Sequence, residues 1–216
     1  MNTMIFSATA GKETNTTLWK NTKGRLVTFK ENNKDSLHQI YNKAIDFAMQ
    51  ENIQKLVLVH DDVILENYSE YRLDKLFTKF DVVGCAGTTE VNLNPPALWH
   101  LMGGGIGSKN LHGAVAHGNE NKKHMTSFGT YPKRVVLIDG VFMAIKRKVF
   151  SKIRFDEKCP VKWHFYDLDY SMQCHKAGFK VGVGDILVTH NSPGLASVTE
   201  EFNKGQEWFL NKWKTK

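Results

Sequence analysis

At 216 residues, with 41% hydrophobic and 24% charged side chains, the chain can bury one substantial core, and it lacks the low hydrophobicity and charge blocks of a disordered protein. Its net charge of +7 favours an anionic partner, but the lysines are dispersed rather than gathered into a stripe interleaved with aromatics, which argues against a nucleic-acid binder. Cys85, Cys159 and Cys174 show no CxxC spacing, and no run approaches the roughly 20 apolar residues of a membrane span, so a disulfide scaffold, a zinc ribbon and an integral membrane protein are all disfavoured. A single domain over residues 1–216 is expected. No basic region followed by a long apolar segment is visible after Met1, so the expected location is cytoplasmic, with peripheral contact at the inner face of a membrane compatible with the charge.

In chain order, Met4 to Ala10 (MIFSATA) and Arg25 to Phe29 (RLVTF) have strand composition. Asp35 or Ser36 can cap a helix in which Leu37, Ile40, Tyr41, Ala44, Ile45 and Ala48 recur on one face. Lys55 to Val59 (KLVLV) reads as a strand covered on both sides and stops at His60-Asp61-Asp62. Leu73, Leu76, Phe77 and Phe80 mark another helix, and Asp81 to Ala86 another buried strand. This alternation predicts an α/β sandwich with a mostly parallel central sheet. Residues 102–130, rich in glycine and containing His112, His117 and His124, are expected to form a long mobile loop. Val135 to Ile145 (VVLIDGVFMAI) resumes strand character around Asp139-Gly140, where the glycine suggests a bend or a close backbone approach. Asp167 to Ala177 is a predicted helix closed by Gly178, and Lys180 to Thr189 contains a further strand. Over about residues 200–216 a C-terminal helix places Phe202, Phe209, Leu210 and Trp213 on one face.

Two adjacent carboxylates, Asp61 and Asp62, at the carboxyl end of a buried strand can hold a hard divalent cation that bridges a diphosphate. The competing reading is that both cap the next turn. His60 reads as a packed or supporting residue. Asp167 and Asp169 lie in a first helical turn, where the macrodipole favours them, yet the neighbouring aromatics Trp163, Phe165 and Tyr166 would desolvate a carboxylate able to act as a general base. Asp139 is a charge inside an apolar run, which is costly unless paired or functional. His190 ends a strand much as Asp62 follows one. No phosphate-loop signature and no nucleophile elbow is present.

Together YNKAIDFA, LVLVHDDV, DGVFMAIKRKVF, HFYDLDYSMQCHKAGFKVGV and VTHNSPG, in this order between Ser36 and Pro193, resemble the GT-A glycosyltransferases, in particular the small bacterial-type members of the family 2-like group. The resemblance implies a GT-A sandwich and a metal-dependent, inverting transfer from a nucleotide-diphosphate sugar to a glycan, lipid-linked or protein hydroxyl. It implies that Asp62 and His190 ligate Mn²⁺ or Mg²⁺, that Asp61 lies against the ribose or the ion's water shell, and that Asp139-Gly140 lines the donor sugar. Asp167 would be the catalytic base. His60 and Tyr166 depart from the pattern, standing where acidic residues are common. Base reading would fall to Glu31, Asn32 or Asn33. A sugar nucleotidyltransferase and a non-catalytic nucleotide- or carbohydrate-binding module remain as alternatives.

Overall fold

The structure is a computed structural model and describes residues 3–23, 27–192 and 199–214. Its elements run β1 (Thr3–Ala8), α1 (Thr17–Thr22), β2 (Val27–Lys30), α2 (Leu37–Gln50), β3 (Lys55–Val59), β4 (Val63–Leu65), α3 (Glu70–Phe77), β5 (Val82–Gly84), β6 (Ala86–Thr88) and α4 (Trp99–Met102). They continue with β7 (Leu111–Gly118), β8 (Lys123–Gly129), β9 (Lys133–Arg134), β10 (Leu137–Ile138), β11 (Phe142–Lys146), α5 (Arg147–Phe150), α6 (Tyr166–Lys176), β12 (Val181–Val183), β13 (Val188–His190) and α7 (Glu200–Lys214). The start of the second expected strand and the final Pro193-Gly194 of VTHNSPG lie outside the described residues.

Two sheets organise the chain. The larger has the order β2-β1-β3-β11-β5-β12-β9, and the smaller runs β10-β6-β7-β13-β4 with β8 added to β7. The α/β sandwich is the one expected, but the central sheet is mixed: β1 pairs parallel with β2 and β3, whereas β11 runs antiparallel between β3 and β5. An apolar run such as VFMAI shows that a strand is covered on both faces and carries no mark of its direction. Val57 and Val59 of β3 face one core cluster with Phe142, Phe165 and Phe209, while Leu56 and Leu58 face the other with Tyr41, Met143 and Ile145. Burial on both faces is what forbids polar residues in β3 until the strand ends.

Helix α2 starts at Ser36, whose hydroxyl accepts from the Gln39 backbone N–H while Gln39 Oε1 accepts from the Ser36 N–H, a reciprocal cap. Helix α6 ends as expected: Gly178 takes φ +82° and the Phe179 N–H donates to the Cys174 carbonyl. Its start is strained, because Phe165 has φ +66° and offers no side-chain cap.

Residues 102–130 correct the expected mobile loop, since β7 and β8 form a hairpin there, registered from His117↔His124 to Ala114↔Ser127 with a bulge after Gly113. The glycines that suggested looseness serve crowding. A Cβ on Gly113, which has φ +93°, would lie 2.0 Å from the carbonyl oxygen of Cys85, the residue just before the neighbouring β6. The apolar face of α7 is spent on the core, where Phe202, Phe209, Leu210 and Trp213 are buried. Among the described residues no helix is long and apolar enough to cross a membrane.

Several connections pass from one sheet to the other. His60-Asp61-Asp62 joins β3 of the larger sheet to β4 of the smaller, and Asp139-Gly140-Val141 joins β10 of the smaller to β11 of the larger. Where a chain leaves a sheet its side chains are no longer sandwiched, and a polar residue can face a cleft.

Candidate functional site

These crossings border a cleft of about 740 Å³ lined by His60, Asp61, Asp62, Trp99, Asp139 and His190 among others. A recess of about 140 Å³ is lined by Asp139, Tyr166, Asp167 and Trp163 and shares His60, Trp99 and Asp139 with the cleft. An apolar concavity with a few convergent polar groups is the ordinary form of a small-molecule site.

Asp62 is one of the residues that line the cleft. Its Oδ2 is 3.2 Å from His190 Nε2, and its Oδ1 is 3.9 Å from His60 Nδ1. Among the described residues, His60, Asp62 and His190 form a group whose ligand atoms all lie within 4.8 Å of one another. Asp62 Oδ1 is buried without a hydrogen-bond partner, a costly arrangement for a carboxylate oxygen. Burial pushes the Asp62 carboxyl up, but the hydrogen bond and charge of His190 outweigh it and hold the pKa below the usual value. Burial pushes His190 down, and the same contact carries it above the usual imidazole value. His190 is delivered by β13, which pairs with β4 at Val63 and with β7 at His117. Asp61 lines the same cleft, and its carbonyl accepts from the Leu18 N–H at 2.9 Å.

The other constellation is built on α6 and the Asp139 crossing. The Gly140 N–H donates to Asp167 Oδ2 at 2.8 Å. A side chain at Gly140 cannot be accommodated, because its Cβ would lie 2.2 Å from the Tyr166 hydroxyl and 2.8 Å from Asp167 Cβ. Asp139 accepts from Trp99 Nε1 at 2.9 Å and from the Val141 N–H at 3.0 Å. Burial raises the Asp167 carboxyl to about 7, and the nearby charge of Asp139 adds to the effect.

Asp169, two residues on, has a different role: it is buried and bonded to Lys212 Nζ at 2.7 Å, Trp213 Nε1 at 2.9 Å and Gln173 Nε2 at 2.8 Å. It fastens α6 to α7 and faces away from the recess.

The structure therefore brings Asp62 together with His190, and Asp139 and Gly140 together with Asp167, around one cleft. It adds His60, expected as a packed or supporting residue, to the Asp62 cluster. The H-x-D spacing with a later strand-ending histidine was the available signal. Trp99 was missed, for it sits on a four-residue helix with no periodicity to expose it. The polar residues proposed to read a base are engaged locally: Glu31 Oε1 accepts from the Glu13 N–H, and Asn33 bonds the Asp35 backbone through both ends of its amide.

A family profile described as "Glycosyltransferase like family" matches residues 19–213. The chain belongs to this glycosyltransferase family. No curated protein sequence matches this glycosyltransferase. The crystal structure of A197 from STIV superposes with a TM-score of 0.50 at 13% identity, covering 93% of this chain and 99% of that one. The crystal structure of GalNAc-T7 with UDP, GalNAc and Mn²⁺ superposes with a TM-score of 0.55 at 11% identity, covering 97% of this glycosyltransferase and 47% of that chain. The chain thus spans about half the length of that protein, and at such identities the likeness establishes the GT-A fold.

Proposed function

We propose that the chain transfers a sugar from a nucleotide-diphosphate donor to an acceptor hydroxyl with inversion at the anomeric carbon, in a metal-dependent reaction. The observation that carries this reading is Asp62, whose two oxygens lie toward His60 and His190 with one of them buried and unpartnered, lining a cleft that reaches Asp139 and joins the recess of Asp167.

Asp62, His190 and His60 would hold the ion. The unpartnered Oδ1 and the mixed imidazole and carboxylate set suit a divalent cation, Mn²⁺ better than Mg²⁺, which prefers oxygen alone. When bound, such an ion supplies positive charge against a departing diphosphate. Asp61, which lines the cleft with Ala8, Ala10 and Tyr41, would meet the nucleoside end. Asp139 is held by Trp99 and the Val141 N–H and lines both cleft and recess, where the donor sugar would lie beside the Asp139-Gly140 turn.

Asp167 is the proposed base. As the acceptor oxygen bonds to the anomeric carbon and the bond from that carbon to the diphosphate oxygen breaks, the hydroxyl proton passes to the Asp167 carboxylate. A carboxyl raised to about 7 takes that proton far more readily than an ordinary aspartate. Trp163, 41% exposed at the recess, and His164 offer flat faces to a sugar or lipid-linked acceptor.

The test is a thermal-shift panel of nucleoside diphosphates with and without Mn²⁺, on the wild type and on Asp62→Ala. At least one diphosphate should raise the wild-type melting temperature only when Mn²⁺ is present, and none should act on Asp62→Ala. Equal stabilisation without Mn²⁺, or in Asp62→Ala, would overturn the reading.

A further inference from the structure

Tyr166 is buried at the start of α6, and its hydroxyl lies 2.6 Å from His60 Nε2. The phenol has little freedom to move. Its ring is packed edge-on against Tyr41 at 5.4 Å and against His38 at 6.3 Å, and the missing side chain of Gly140 provides the space its oxygen occupies. Phe165 adopts its left-handed backbone immediately before it, so the chain bends sharply to present this residue.

A neutral imidazole has one N–H and one lone pair, and the partner of one nitrogen decides the state of the other. On His60 the second nitrogen, Nδ1, is 3.9 Å from Asp62 Oδ1, too far for a hydrogen bond to reward a proton there. Nε2, by contrast, has a partner at hydrogen-bond distance. With a cation on Nδ1 that nitrogen's lone pair is spent on the ion, so the proton stands on Nε2 and is donated to the Tyr166 oxygen.

We infer that Tyr166 is a positioning residue: it fixes the tautomer and the ring of His60 so that Nδ1 is a ready cation ligand beside Asp62 and His190. Through it the cation cluster is tied to the residue next to Asp167, so the donor and acceptor halves of the site share one rigid joint. This assignment rests on the metal reading proposed above.

Two measurements test it without any turnover. The first is Mn²⁺ binding to wild type, Tyr166→Phe and Asp62→Ala, read from the electron paramagnetic resonance signal of the free ion. Tyr166→Phe should bind roughly 10–100-fold more weakly than wild type, as is usual when the group supporting a histidine ligand is lost, with an unchanged melting temperature in the absence of metal. Wild-type affinity in Tyr166→Phe would overturn the role of Tyr166 and leave the cluster standing. A wild type that binds no better than Asp62→Ala would overturn the metal reading and this inference together. The second measurement is made on the wild type: ¹⁵N shifts of the His60 ring in the metal-free protein, assigned by loss of one signal in a folded His60→Gln, should report a proton on Nε2. A proton on Nδ1 would overturn the inference.

Discussion

Asp167 and Asp139 border one recess, and their proximity is unfavourable when both are ionised. Because the Asp167 carboxyl is raised to about 7 from an ordinary 3.8, the folded protein holds a proton that the unfolded chain would have released between those values. Stability contributed by this group is complete below pH 3.8 and is lost as pH rises through 7, while the ionised form that can accept a proton becomes dominant only above 7. Asp167→Asn should therefore act in opposite directions on the two properties. Transfer should fall by roughly 10²–10⁴-fold, as for loss of a general base, and the wild-type rate should climb with pH through about 7 in a pH-rate profile. Urea unfolding at pH 8 should show the variant more stable by about 2 kcal/mol, a value reduced because the carboxylate keeps some surface in the recess where water screens it. A variant that transfers at a near-normal rate would place the base elsewhere.

At the scale of elements, α6 carries two aspartates with unrelated duties. Asp169 and Lys212 form a buried pair, with Lys212 also reaching Asp156 Oδ2 at 2.6 Å. Removing only the cation strands a charge, so Lys212→Met should destabilise the fold by about 3 kcal/mol in urea unfolding, and Asp169→Asn added to it should restore part of that loss. Sequence could not separate Asp167 from Asp169 by type, since both sit in a first helical turn; the packing of α7 against one side of α6 separates them. The helices themselves were legible. Asp35 or Ser36 with the apolar spacing that follows announced α2, and Gly178 announced the end of α6, because caps and apolar spacing are local signals. The hairpin β7–β8 was not legible. β8 is mostly exposed and so has no alternation, and Gly113 looked like loop chemistry when it records a strand pressed against Cys85. Asp62 and His190 were readable as strand-end residues, but their meeting depends on the parallel pairing of β13 with β7, which no local pattern encodes.

For the molecule as a whole, the site is a seam. His60 closes a strand of the larger sheet, whereas Asp62 leads into β4 and His190 ends β13, both of the smaller sheet. An ion held by all three would fasten the sheets to each other. Hydrogen exchange should report this as slower amide exchange at the ends of β3, β4 and β13 together when Mn²⁺ is added to wild type, with no change in His190→Ala. Protection confined to one sheet would contradict the seam.

The clasp on Asp169 also has a consequence in time. Asp169 and Trp213 are 44 positions apart in the chain, so a ribosome emits α6 well before it emits the lysine and tryptophan that hold that helix in place. Until then Asp169 lacks Lys212, and the strained entry through Phe165 lacks its ring contacts with Phe202 and Phe209. The nascent polypeptide therefore gains a firmly held α6 only once α7 has been made.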